Sequence, residues 1–219
     1  PSPKDESELL KFYRSIDKIG FNKIMLTHHH PDHYEFSNVI AKKYNVPMLM
    51  SEYTYKAIGE KYFEGIKVTF LKEGDVLTKS LGRDVLVYEV PGHDEGQLAI
   101  APESMDWFLA GDLIQTIGTV AILPPEGNMK KYFNTLKRVI DLRPKNIIPS
   151  HGIIVGGTFK MEETLKHRQM REEQVKALML KNATMDEMLL EIYPGLEERL
   201  VKYAKRTIDA HIQKIQEEK

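Results

Sequence analysis

A short apolar run, Lys23-Ile24-Met25-Leu26-Thr27, breaks into His28-His29-His30-Pro31-Asp32-His33. No other stretch narrows the fold as much. A buried strand that stops in a burst of imidazoles needs a sheet behind it and a ligand in front of it. The arrangement recurs. Of the 8 His, six (His28, His29, His30, His33, His93 and His151) lie at the end of an expected strand or in the turn after one. In α/β sheets, ligand sites form at the carboxyl ends of strands.

The rest of the chain supplies such a sheet. Leu9, Phe12, Tyr13, Ile16 and Ile19 recur at helical steps, with Gly20 as a stop. The pattern then predicts a helix over 37–44, a strand over 46–50 and a helix over 52–62. Strands follow over 68–71, 85–90, 98–101 and 107–110. A loop at 124–127 precedes an amphipathic helix over 129–140, and a short strand over 147–149 leads into Ser150-His151-Gly152. From Met161 the strand signals stop and three helical patterns follow, with Pro194-Gly195 between the last two. A domain boundary is therefore expected near residue 160: a domain over 1–160 and a helical domain over 161–219.

The histidine spacing has a geometric meaning. On a helix, His28 and His30 would point about 200° apart and share nothing; at a strand end they face one side. Asp32 and His33, after a turn forced by Pro31, reach a second point nearby. The run thus offers two metal ligands to one site and two to an adjacent one. Zinc sites usually take four ligands, and a catalytic site leaves one for water. Pro91-Gly92-His93, Gly111-Asp112 and Ser150-His151-Gly152 are suitable sources for the rest. His29, between two ligand positions, should point away. His167 reads as structural, and His211 as a helix-surface residue.

Composition removes other chemistries. The 219 residues hold no Cys, so disulfides, thiol nucleophiles and thiolate metal sites are excluded. A net charge of −1 excludes a strongly basic nucleic-acid coat. No apolar run approaches the ~18 residues of a membrane span, so no membrane partner is expected; the missing Cys fits a reducing compartment, and a cytoplasmic location is expected.

The motifs THHHPDH at 27–33, PGHDEG at 91–96, AGD at 110–112 and PSHG at 149–152, in that order, resemble the metallo-β-lactamase-fold hydrolase superfamily. The resemblance covers about residues 5–160. It implies an α/β fold, an αββα sandwich. Carried over position by position, it makes His28, His30 and His93 one metal site and Asp32, His33 and His151 a second, with Asp112 bridging. The implied cofactors are two divalent metal ions, with zinc the default and manganese or iron the alternatives. The implied activity is hydrolysis by a metal-bridging hydroxide, with Asp32 and Asp112 orienting it. A small ester, thioester or related compound is the first substrate class.

A second resemblance lies further on. GTVAILPPEGNMKKYFNTLKRV at 118–139, His167-Arg168 and Arg171-Glu172-Glu173-Gln174 are similar to the lactamase-β-like endoribonuclease branch, where a small winged-helix-like domain follows the hydrolase domain. That implies single-stranded RNA as the alternative substrate. A third reading, a non-catalytic nucleic-acid-binding regulator on the same fold, is disfavoured because all seven ligand positions are filled. From 160 to 219 there are 12 Lys+Arg and 12 Asp+Glu, a balance that does not favour an RNA reader, although Lys202, Lys205 and Arg206 form a local basic patch.

The chain departs from the family in three places. The first strands of the sandwich, which precede the helix at 6–19 in the family, are absent, so the chain reads as N-terminally incomplete. Alone, it is expected to aggregate or form a homodimer through the exposed face. Tyr34-Glu35-Phe36 stands where the family often has Gly, and Asp94 follows His93 where Thr is common.

Overall fold

Helix-forming spacing and local caps account for the first elements. The structure, a computed structural model, describes residues 2–218. Helix α1 (Glu6–Ile19) starts where the Asp5 carboxylate accepts the Glu8 N–H and ends at Gly20, whose φ of 73° suits glycine. The chain divides into two compact units: residues 1–89 with 96–104, and residues 90–95 with 105–219. The boundary expected near 160 lies inside the second.

In the first unit, strand β1 (Ile24–Met25) leads through the one-turn helix α2 (Pro31–Tyr34) and α3 (Ser37–Tyr44) to β2 (Met48–Met50). Helix α4 (Glu52–Ile58) follows, ended by Gly59 at φ 98°, so the expected helix over 52–62 becomes α4 and a 3-10 turn. Strand β3 (Val68–Phe70) completes a parallel sheet in the order β1-β2-β3, with Ile24 opposite Met48 and Met48 opposite Val68. One face packs Leu26, Met48 and Met50 against Ala41 and Phe63.

An antiparallel meander follows: β4 (Val76–Ser80), β5 (Arg83–Glu89) and β6 (Leu98–Pro102). β4 escaped the sequence pattern because its residues are mostly polar or exposed and only Leu77 is buried. Leu49, Leu71, Leu77, Val87 and Leu98 form one buried cluster, so the parallel strands pack on the meander. Each such side chain contributes about 2 kcal/mol when removed from water.

In the second unit, β7 (Phe108–Gly111) is followed by α5 (Met129–Leu142), then β8 (Asn146–Pro149) and β9 (Val155–Gly156). β7 and β8 are parallel, with Gly111 opposite Pro149, and β9 returns antiparallel to β8. Thus Asp112 and His151 leave the sheet at the same carboxyl edge. α5 buries Met129, Tyr132, Phe133, Leu136 and Val139 on one face, as its periodicity predicts.

Helices α6 (Phe159–Leu180), α7 (Met185–Ile192) and α8 (Glu198–Glu217) close the chain. Val175, Met188, Ile192, Ile208 and Ile215 form their core, and Thr184 with Glu187 makes a capping box at α7. A charged group is buried beside that core. Glu172 lies 2.9 Å from Lys214 Nζ and 3.5 Å from His211 Nδ1. His211 is thus not the surface residue the sequence suggests; it is 1% exposed, because α8 turns that side toward α6. Among the described residues, no helix is long and apolar enough to cross a membrane.

Candidate functional site

The first unit holds His28, His29, His30, Asp32 and His33. The strand end beneath them is tied on both sides: Leu26 N–H donates to Leu49 O and Leu98 N–H donates to Thr27 O, at 2.9 and 2.8 Å. Pro31 then starts α2, since its ring needs no N–H partner and its φ is already helical. That single turn brings His33 back over His28, with ring centroids 4.0 Å apart.

One hydroxyl organises these rings. Thr27 Oγ1 lies 3.1 Å from His28 Nδ1 and 3.4 Å from His33 Nδ1. With both Nδ1 atoms turned to that hydroxyl, the Nε2 atoms face the other polar side chains of the run. His28 Nε2 is 3.0 Å from His30 Nδ1, and His33 Nε2 is 3.4 Å from Asp32 Oδ2. The four expected ligand residues of this unit therefore gather their donor atoms. His29 lies against the ring of Tyr53 in α4, at 5.9 Å between centroids, and 5.3 Å from that of His30.

The second unit holds His93, Asp112 and His151. Here the atoms meet on a carboxylate: His93 Nε2 and His151 Nε2 lie 3.6 and 3.5 Å from the same oxygen, Asp112 Oδ2. The His93 Nδ1 side faces the Ala121 carbonyl at 2.8 Å. Donating there puts the ring's lone pair on Nε2, toward Asp112; such outer partners fix the tautomer of metal-binding histidines.

Helix α5 carries this arrangement. Gly92 has φ 137°, and a Cβ there would fall on the backbone of Tyr132, so the turn before His93 lies directly on the helix. Thr135 Oγ1 donates to Pro91 O at 2.7 Å, and Asn128 N–H donates to Gly92 O at 2.8 Å. The Tyr132 hydroxyl donates to Leu113 O at 2.8 Å, one residue past Asp112. Burial pushes the Tyr132 phenol up to about 12, so it stays a donor at neutral pH. On the other side, Ser150 N–H donates to Gly111 O at 3.0 Å, joining the turns that bear His151 and Asp112.

Sequence reasoning missed Thr27, Ala121 and Tyr132. Thr27 stood inside the histidine motif, but nothing in its spacing marks a hydroxyl for two rings. Ala121 acts through a carbonyl, which every residue has. Tyr132 has the spacing of an ordinary core residue.

The Metallo-beta-lactamase superfamily profile matches residues 2–151, more than half of the chain, and the chain belongs to that superfamily. Its relatives include a hydroxyacylglutathione hydrolase of Bdellovibrio bacteriovorus, 29% identical over 67% of this chain and 54% of its own length. The beta-lactamase-like protein 2 homolog of Drosophila melanogaster is 24% identical over 92% of this chain and 70% of its own length. The chain therefore spans about half the length of the first of these. Among solved structures, a beta-lactamase domain protein from Burkholderia ambifaria shares the fold with a TM-score of 0.84 and 19% identity, covering 98% of this chain and 75% of its own. That coverage takes in α6–α8, so the C-terminal helices belong to the shared fold.

Proposed function

We propose that the chain is the metal-dependent part of a hydrolase acting on a small thioester. The observation that carries this reading is Asp112 Oδ2 facing two imidazole nitrogens from separate turns. A carboxylate beside two imidazole nitrogens is suited to share a cation with them. The donor set is imidazole and carboxylate throughout, which fits zinc and also manganese or iron. Bound divalent ions would supply a Lewis acid and bring the pKa of coordinated water to about 7.

The residues divide the remaining work. His28, His30 and His93 would hold one ion and Asp32, His33 and His151 the other, with Asp112 common to both. Ala121 O would keep the His93 proton on Nδ1, and the Thr27 hydroxyl sits against Nδ1 of His28 and His33. Asp32 and Asp112 would help to hold the ions and orient the attacking water. The thioester class draws on the superfamily relative named as a hydroxyacylglutathione hydrolase.

Single-stranded RNA is the competing substrate, and one observation counts against it. In the basic patch of α8, Lys205 is paired with Asp186 at 2.5 Å and Arg206 is turned onto backbone carbonyls. Little of the patch is left for phosphates.

The test is metal content by elemental analysis together with steady-state hydrolysis of acyl-thiol and RNA substrates, wild type beside Asp112→Ala. Metal in the wild type, thioester turnover and loss of both in the variant are expected. RNA cleavage without thioester turnover overturns the substrate class. No metal after zinc, manganese and iron are supplied overturns the hydrolase reading.

A further inference from the structure

Helix α6 carries an arginine that the proposed reaction does not use. Arg168 is 2% exposed, and a charge so deeply buried persists only where fixed partners hold it. Its Nη2 donates to the Val120 carbonyl. The next carbonyl along the chain, Ala121 O, is the one that faces His93 Nδ1. A single peptide step therefore separates the guanidinium's anchor from the imidazole's.

Helix α8 makes the same kind of contact further along. Arg206 Nη2 donates to Pro124 O at 2.5 Å and lies 3.5 Å from Leu123 O. These contacts matter because residues 112–128 contain no helix or strand. Backbone carbonyls without a ladder need other donors, or water takes their place and the segment is free to shift. The far end of the segment returns to the motif turn itself, through Asn128 N–H to Gly92 O. So the loop is held at one end by the turn before His93, and between by two arginines from the C-terminal helices.

We infer that Arg168, assisted by Arg206, is a positioning residue for His93: the two helices set the 120–124 loop so that the Ala121 carbonyl holds the ring with its proton on Nδ1 and its lone pair on Nε2. This gives the C-terminal helices a part in the metal site itself. The inference rests on the proposed function, in which His93 is a ligand. It also explains the His167-Arg168 motif, which that function leaves without a task.

The test compares wild type with Arg168→Met, Arg168→Lys, Arg206→Met and Val175→Ala, the last loosening the α6 core without touching the loop. Two readouts are taken: the zinc dissociation constant by chelator competition, and the ring ¹⁵N signals of the metal-free protein with labelled histidine, with His93 assigned by its loss in His93→Gln. Arg168→Met should weaken zinc binding about tenfold or more and shift the His93 ring away from the Nδ1–H tautomer. Arg168→Lys should recover part of both, and Arg206→Met should move both less, in the same direction. Val175→Ala should lower the Tm and move neither.

Zinc binding and ring signals unchanged in folded Arg168 and Arg206 variants would overturn the inference, as would equal losses in Val175→Ala. If Arg168→Met does not fold, Arg168→Lys and Arg206→Met decide. A wild type that binds no zinc, with a His93 tautomer that still follows Arg168, would sink the hydrolase reading and leave the positioning role supported.

Discussion

The two histidine groups are assembled by opposite means. In the first unit, His28, His30, Asp32 and His33 come from one short run, and a single turn begun by Pro31 brings them together over Thr27. In the second, His93, Asp112 and His151 come from three separate turns, held by α5, a loop carbonyl and a strand-end hydrogen bond. The first group needs local geometry. The second needs much of its unit to be in place, so its tolerance of substitution at a distance should be far lower.

The most severe break is Asp112→Ala, which removes the carboxylate facing both rings of the second group. Bound metal should fall well below about two per chain. Turnover should drop more than about 100-fold, beyond what losing an outer partner costs. Elemental analysis and steady-state kinetics read both.

The turn before His93 is tested by its glycine. Gly92→Ala places a Cβ on the Tyr132 backbone at a left-handed φ and should cost about 3 kcal/mol or more in urea unfolding. A cost below about 1 kcal/mol would mean that this turn can shift off α5 and that the second group is less constrained than its contacts suggest.

A smaller change tests the first group. Thr27→Val removes the hydroxyl near both His28 Nδ1 and His33 Nδ1 and should weaken metal binding about tenfold. Chelator competition measures it, and an unchanged affinity would show that the local turn alone orders the rings.

The mildest effect at neutral pH lies in the helices behind the second group. Burial acts to raise the Glu172 pKa, but the facing His211 and Lys214 overcome it and hold the carboxyl at about 2. A depressed carboxyl stabilises the fold above its ordinary value of 4.5, and that contribution is lost as pH falls toward 2. Burial also pushes the His211 imidazole below 6.5, although Glu172 pulls the other way. The unfolded chain therefore takes a proton there that the folded one does not, again favouring unfolding in acid. Lys176 also faces Glu172, and its carboxylate partners raise its pKa, so it stays charged throughout. Urea midpoints across this range should fall more steeply for wild type than for Glu172→Gln.

Much of this was legible in the chain. The helices α1, α3, α5 and α6–α8 follow from apolar spacing and punctuation, because amphipathic helices advertise their buried face at fixed steps. β4, β9 and α2 did not show: β9 is two residues long, α2 is one turn, and β4 buries a single apolar side chain. The basic patch at Lys205 and Arg206 was visible as charge, but its partners, Asp186 and the loop carbonyls, lie far along the chain.

The sequence by itself determined the superfamily and named the candidate donors, since residue type and short-range spacing carry both. Only the tertiary structure decided what the Nδ1 side of each ring faces. For His28 and His33 it is a threonine hydroxyl, and for His93 a backbone carbonyl next to the one that Arg168 binds. A carbonyl has no side chain to announce it, so its direction is known only once the chain around it has been packed.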